Sequence, residues 1–348
     1  MRELILQNDI FAGLNIAVLL PCYNESASIF SVVLDFRKAL PNARIFVYDN
    51  NSTDDTSAQA ARAGATVVPS RRQGKGNVVR QMFADIDADV YLMADGDGTY
   101  DATVAPKLIQ TLLDDRADMV VGTRGGVTKD AGRQGHAFGN HLFNTVYKTL
   151  FGSDFTDIFS GYRAFTRRYA KSFPASSPGF EIETEMSVHA SSLRLPVSEI
   201  ECEYGRRGEG SESKLSTFRD GFRILRMMGM LTKETRPFIF FCYIAVALLG
   251  GAVILGVPVI KEYFETGLVT RMPTWMFAMT LLIGSMMAFV SGVILDSVAR
   301  GRAEQKRIHY LSIAPSRGEN YQSGTTPLTE RRNKSDTTNS INQRKTAG

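Results

Sequence analysis

Two long runs without a charged residue limit what this chain can become. Residues 237–260, PFIFFCYIAVALLGGAVILGVPVI, and residues 273–295, PTWMFAMTLLIGSMMAFVSGVIL, contain no Asp, Glu, Lys or Arg. As a helix the first spans roughly 36 Å, enough to cross a hydrocarbon core of about 30 Å. A buried core helix seldom runs so far without a charge. Two in succession, joined by the short KEYFETGLVTRM, read as a transmembrane hairpin covering 237–299. Lys233 and Arg236 precede it, and Arg300, Arg302, Lys306 and Arg307 follow it. This bias predicts two spans with both termini cytoplasmic, although Lys261 and Arg271 in the connecting loop dilute the signal. The N-terminal MRELILQNDIFAGLN has no signal-peptide pattern, so the residues before the hairpin are expected in the cytosol.

Those residues, 1–216, are enough for one catalytic domain of the α/β class. IAVLLP (16–21), RIFVYD (44–49), ATVVPS (65–70), DVYLMAD (89–95) and MVVGTR (119–124) have the apolar, turn-bounded character of strands. Helix-like segments such as SASIFSVVLDFRKAL and GNVVRQMFADI separate them, an alternation that predicts a mostly parallel sheet covered by helices. In such sheets ligands bind beyond the carboxyl ends of the strands. There the chain places PCYNE, DNNSTDDT, RRQGKGN and DGDGTYD.

Several classes fall away. The three cysteines and four histidines are scattered, which argues against a disulfide framework or a histidine metal site. The first strand ends without GxGxxG, and GKG at 74–76 lacks the GxxxxGK[ST] frame, so redox and ATPase readings lose support. Net charge is only +4, with a local excess from Arg206 to Arg236 beside the first span. Residues 217–236 carry apolar positions three or four apart with arginines between them. They suit an amphipathic juxtamembrane helix lying in the membrane surface, with a helix packed on the catalytic domain as the alternative. Residues 314–348 are polar and expected to be disordered; without interleaved aromatics they do not suggest nucleic-acid binding.

The acidic cluster carries the chemistry. An Asp-x-Asp at a strand end offers hard oxygen ligands for Mg²⁺ or Mn²⁺, with open positions for phosphate oxygens and water. Asp95 and Asp97 fit that description, whereas Asp87 and Asp89 have the same spacing but no buried strand before them. Asp101 is suited to cap the helix that follows.

PCYNE (21–25), DNNSTDDT (49–56), GKGN (74–77), DGD (95–97), DIFSGYR (157–163), FEIETEMSVHA (180–190) and EGSESKLSTFRDGFRILR (209–226) occur in one order. In that order the chain resembles the family 2 inverting glycosyltransferases, and within them the polyprenyl-phosphate branch of dolichyl-phosphate mannose synthase and bactoprenol glucosyltransferases. The resemblance implies a GT-A (Rossmann-like) fold, a nucleotide-sugar donor of UDP-hexose or GDP-mannose type, Mg²⁺ or Mn²⁺, and polyprenyl phosphate as acceptor in cell-envelope glycan synthesis. It puts Pro21, Tyr23, Glu25 and Asp49 around base and ribose, Lys75 near the nucleotide, and Asp95 and Asp97 at the diphosphate and metal. Asp157 and Arg163 are implied at the reacting centre, with Asp157 as base or as an orienting charge. Arg206, Arg207 and Lys214 are suited to lipid phosphate or diphosphate. Two departures stand out: Asn50 and Asn51 where many relatives have acids, and Thr99 where many carry a metal-binding Gln. Which of Glu181, Glu183 and Glu185 faces the sugar is left open. So is self-association through Gly250, Gly251 and Gly256. The competing readings are a processive polysaccharide synthase, for which two spans are few, and a catalytically silent membrane-tethered scaffold.

Overall fold

The computed structural model describes residues 11, 13–125, 155–179, 181–203, 205, 229–230, 232–233 and 236–315. Arg206, Arg207 and Lys214, most of the amphipathic segment 217–236 and the tail from residue 316 lie outside the described residues.

A seven-stranded sheet forms the centre, ordered β3-β2-β1-β4-β6-β5-β7. Its strands are β1 (Ile16–Cys22), β2 (Arg44–Asp49), β3 (Thr66–Pro69), β4 (Val90–Met93), β5 (Met119–Gly125), β6 (Arg163–Thr166) and β7 (Val197–Glu203). The five strands expected from the sequence are all present. They read as continuous apolar runs because both faces are covered: Ala17 and Leu19 pack into one core, Ile16, Val18 and Leu20 into the other. Helices α1 (Ile29–Ala39), α2 (Thr56–Arg62), α3 (Lys75–Asp85), α4 (Ala105–Asp114), α5 (Arg167–Ser172) and α6 (Ile182–Leu193) supply the layers.

The sheet is mostly parallel, as expected, with one antiparallel strand. Strand β6 inserts antiparallel between β4 and β5, and β7 then pairs parallel with β5. Neither β6 nor β7 was foreseen: RAFT is only four residues long, and VSEIECE alternates acids with apolar residues at a sheet edge. The strand order reverses between β1 and β4, whose carboxyl ends carry Cys22–Glu25 and Asp95–Asp97. A crevice opens at such a switch point.

Two long helices follow, α7 (Pro237–Thr266) and α8 (Met272–Ser312). Their apolar side chains face outward, with Ile254 72 %, Phe264 81 % and Met286 70 % exposed, so they are not core helices of a soluble domain. Small residues bring them together. A Cβ on Gly292 would meet the Phe241 Cβ at 3.0 Å, and Ser285 Oγ donates to the Ala245 carbonyl at 2.8 Å. Length, composition and exposure fit a membrane hairpin. Helix α8 continues past the apolar span as a polar extension to Ser312. The extension docks on the catalytic domain: Tyr310 donates to Asp118 Oδ2 at 2.9 Å, Arg307 to the Leu193 carbonyl at 2.8 Å, and Arg168 to the Ile313 carbonyl at 3.0 Å.

Candidate active site

The crevice is built from loops that bind one another. After β1, Asn24 adopts a left-handed backbone (φ 53°), a conformation Asn tolerates, and its N–H donates to Ser52 Oγ at 2.9 Å. Glu25 N–H donates to Thr56 Oγ1 at 2.8 Å. Asp49, at the end of β2, accepts from Ser52 N–H at 2.9 Å and from the Ser57 hydroxyl, so both carboxylate oxygens brace its own turn. Pro21 lies within β1 in register with Tyr48, and Tyr23 stands 36 % exposed at the crevice rim.

The two asparagines that depart from the family pattern have a visible structural use. Asn50, 4 % exposed, donates to the carbonyls of Ser70 and Arg72 and accepts from Gly74 N–H at 2.7 Å. Asn51 donates to the Arg71 carbonyl and to Gln73. Together they tie the loop after β2 to the loop that opens α3. An aspartate at position 50 could not donate to two carbonyls. The glycines beside Lys75 serve a backbone crossing. A Cβ on Gly76 would come within 1.9 Å of the Ser177 carbonyl oxygen, and one on Gly74 (φ 121°) within 2.2 Å of that of Pro178.

Lys75 then enters the crevice floor. Its Nζ lies 2.5 Å from Asp95 Oδ1 and 2.5 Å from Glu183 Oε1, with the Lys75 and Glu183 side chains only 8 % and 5 % exposed. Burial disfavours the ammonium, but the two carboxylates outweigh it and raise the Lys75 pKa, so it stays charged. Burial together with the Asp95 charge raises Glu183 against the pull of Lys75. Glu183 Oε2 is buried without a hydrogen-bond partner. Two carboxylates thus share the one ammonium, and Glu183 Oε2 is an unsatisfied acceptor beside it. Gly161 closes the cluster: a Cβ there would lie 3.0 Å from Asp95 Oδ2 and 3.1 Å from Lys75 Nζ. The glutamates left open by the sequence therefore separate. Glu181 caps α6 by position, Glu183 meets Lys75, and Glu185 accepts from Ser176 and Ser177 N–H at 2.8 and 2.7 Å.

Asp97, 3 % exposed, accepts from Thr99 N–H at 3.1 Å and from the Thr99 hydroxyl at 2.6 Å, so the residue replacing the common Gln orients this aspartate. Asp101 accepts from Thr103 N–H at 2.8 Å and caps the short turn of helix after it. Among the described residues no group of three or more His, Cys, Asp or Glu forms a metal cage. Asp95 and Asp97 nonetheless fit a divalent ion of the kind held by one or two carboxylates plus substrate phosphates.

Asp157 is gripped by Arg124 in a two-pronged pair, Nε at 2.8 Å and Nη2 at 2.9 Å, and accepts from Phe159 N–H at 3.1 Å. Burial works against its charge, yet Arg124 holds its carboxyl below the usual range, which makes it a weak base. Arg124 was not singled out in the sequence; its place at the end of β5 was the available signal. Arg163 corrects an expectation. It is fully buried, donating to the carbonyls of Ser160 (2.8 Å) and Ile158 (2.9 Å) and to Ser187 Oγ (3.0 Å), so it supports the DIFSGYR loop from beneath. Four-residue β6 is covered on both faces, so a side chain starting that strand turns inward whatever its charge.

Residues 17–173 match the family model described as glycosyl transferase family 2. Glycosyltransferase AglJ of Haloferax volcanii is 34 % identical over 85 % of this chain and 98 % of its own length. The dolichyl-phosphate hexose transferase of the same organism is 27 % identical over 64 % of this chain and 96 % of its own. Among solved structures, glucosyl-3-phosphoglycerate synthase from Mycobacterium tuberculosis, crystallised with Mn²⁺, UDP-glucose and phosphoglyceric acid, superposes with a TM-score of 0.54. It is 22 % identical, covering 65 % of this chain and 82 % of that one, a likeness of GT-A fold.

Proposed function

The chain belongs to glycosyl transferase family 2, and from that premise we propose that it moves one sugar from a nucleotide diphosphate sugar to polyprenyl phosphate at the cytoplasmic membrane face. The carrying observation is that the Asp95–Lys75–Glu183 crevice and the hairpin belong to one framework. Helix α8 runs from the apolar span directly onto the start of β5 through Tyr310 and Asp118. An acceptor whose headgroup stays at the bilayer surface suits a site so tethered, because anchoring supplies proximity. The likeness to a dolichyl-phosphate hexose transferase supports the same acceptor class.

In this reading Pro21, Tyr23, Glu25 and Asp49 border the nucleoside. Asp95 and Asp97 would hold Mg²⁺ or Mn²⁺, which supplies charge neutralisation for the diphosphate when bound. A phosphate oxygen of the lipid attacks the anomeric carbon. That C–O bond forms as the bond from carbon to the β-phosphate oxygen breaks, inverting the centre and releasing the nucleoside diphosphate. The attacking oxygen is already ionised near neutral pH, so no strong base is needed. Asp157, held ionised by Arg124, is suited to orienting groups and offsetting positive charge on the sugar. Glu183, with its unpartnered Oε2, is suited to accept from a sugar hydroxyl. Arg206, Arg207 and Lys214 are proposed for the lipid phosphate.

The test is transfer of labelled sugar from a panel of UDP and GDP sugars to polyprenyl phosphate, with Mn²⁺ or EDTA, by the intact protein and an Asp97→Ala variant. Metal-dependent labelling from one donor, lost in the variant, supports the proposal. A folded variant with wild-type turnover refutes the assignment of Asp97.

A further inference from the structure

A second cavity, of about 420 Å³, lies between α6 and the cytosolic ends of the two long helices. It is lined by Arg194, Arg236, Arg302 and Lys306, against one carboxylate, Glu185. That carboxylate is already engaged by the N–H groups of Ser176 and Ser177. The ion pairs among the described residues involve none of the four cations. The cavity is therefore a cationic pocket with its charges uncommitted to neighbouring acids.

His189 lines the cavity and is 4 % exposed, and its Nδ1 has no hydrogen-bond partner. Its Nε2 lies 3.5 Å from Ser172 Oγ, a residue that does not line the cavity. Burial and then the Lys306 charge push its pKa down to about 3, so the ring is neutral at physiological pH. The Ser172 hydroxyl donates its one hydrogen to the Tyr169 carbonyl at 3.1 Å, so Nε2–H is the donor to Ser172 and Nδ1 is a buried acceptor. What suits phosphate oxygens here is the four cations of the lining.

The position of the cavity says which phosphate. Arg236 immediately precedes Pro237, the first residue of α7. Arg302 lies roughly 10 Å of helix beyond Leu295, where the uncharged run stops. Both sit at the depth of lipid headgroups, where basic residues meet anionic lipids. Outward-facing Ile239 and Val298, on the adjoining turns of the two helices, offer an apolar path for acyl chains.

We propose that this cavity binds the phosphate of an anionic bilayer lipid, separately from the donor and acceptor sites. The bound headgroup bridges α6, α7 and α8 and seats the catalytic domain on the membrane. Glu185 connects the seat to the crevice, since the Ser176–Pro178 loop it holds packs against Gly74 and Gly76 beside Lys75.

Native mass spectrometry of the full chain in detergent tests this, using phosphatidylglycerol, phosphatidylcholine, sn-glycerol 3-phosphate and polyprenyl phosphate. Arg302→Gln/Lys306→Gln is the variant, with its thermal melting compared to wild type; a single Lys306→Gln serves if the pair fails to fold. The wild type is expected to retain one phosphatidylglycerol and no phosphatidylcholine, and the variant to lose occupancy at least tenfold. Equal retention of the two lipids, or undiminished retention in a folded variant, overturns the proposal. Competition by glycerol phosphate as strong as by the lipid would reassign the cavity to a free phosphate. Mole-for-mole displacement by polyprenyl phosphate would make it the acceptor site.

Discussion

Removing the Lys75 ammonium exposes the energetics of the crevice most sharply. Lys75→Met deletes a charge lying 2.5 Å from each of two carboxylates, one of them on a side chain only 5 % exposed. Breaking a buried pair from one side costs about 3–5 kcal/mol, because the charge left behind has no partner. Glu183 has an escape, since burial already raises its pKa and it can take up a proton. In the variant its folded pKa stands above the unfolded value. That contribution to stability is whole below the unfolded pKa and is lost as pH rises through the folded one. Lys75→Met is thus expected to lower melting by on the order of 10 °C near neutral pH and to lose less near pH 5. Lys75→Met/Glu183→Gln should regain most of that stability while remaining inactive. Denaturation of the full chain in detergent, followed by circular dichroism at both pH values, reads the effect. A destabilisation under about 1 kcal/mol at neutral pH, or a double variant no more stable than the single, would refute the ion-paired crevice.

Gly161→Ala places a methyl 3.0 Å from Asp95 and 3.1 Å from Lys75; turnover should fall by about 100-fold with melting little changed, as assayed by sugar transfer. Asn50→Asp loses two donated hydrogen bonds to the loop before Lys75 and should weaken donor binding by about tenfold or more in calorimetry. His189 is held neutral, its folded pKa of about 3 below the ordinary 6.5, so its contribution is whole above 6.5 and lost as pH falls toward 3. His189→Phe should flatten that part of the acid denaturation profile.

The first half of the sheet was legible because strands buried on both faces become continuous apolar runs, and β2 spans Arg44–Asp49 as expected. Strands β6 and β7 were not: four residues are too few to show a period, and antiparallel insertion leaves no local mark. The acidic strand end announced Asp95 and Asp97, but the partner that completes their neighbourhood did not announce itself. Glu183 lies 108 residues after Lys75, and no spacing rule links them. Arg163 misled because its charge suggests chemistry, whereas full burial against carbonyls makes it a strut. The polar residues after Leu295 looked like a flank and form a docked helix, since Tyr310 finds its acid, Asp118, far away in sequence.

The most direct measurement of the central claim is where labelled sugar goes when polyprenyl phosphate and 3-phosphoglycerate are offered together to the protein in bilayers with Mn²⁺. The account predicts label in the organic phase on the lipid phosphate, lost on adding EDTA. Label in the aqueous phase on phosphoglycerate, with the lipid unlabelled, would contradict it.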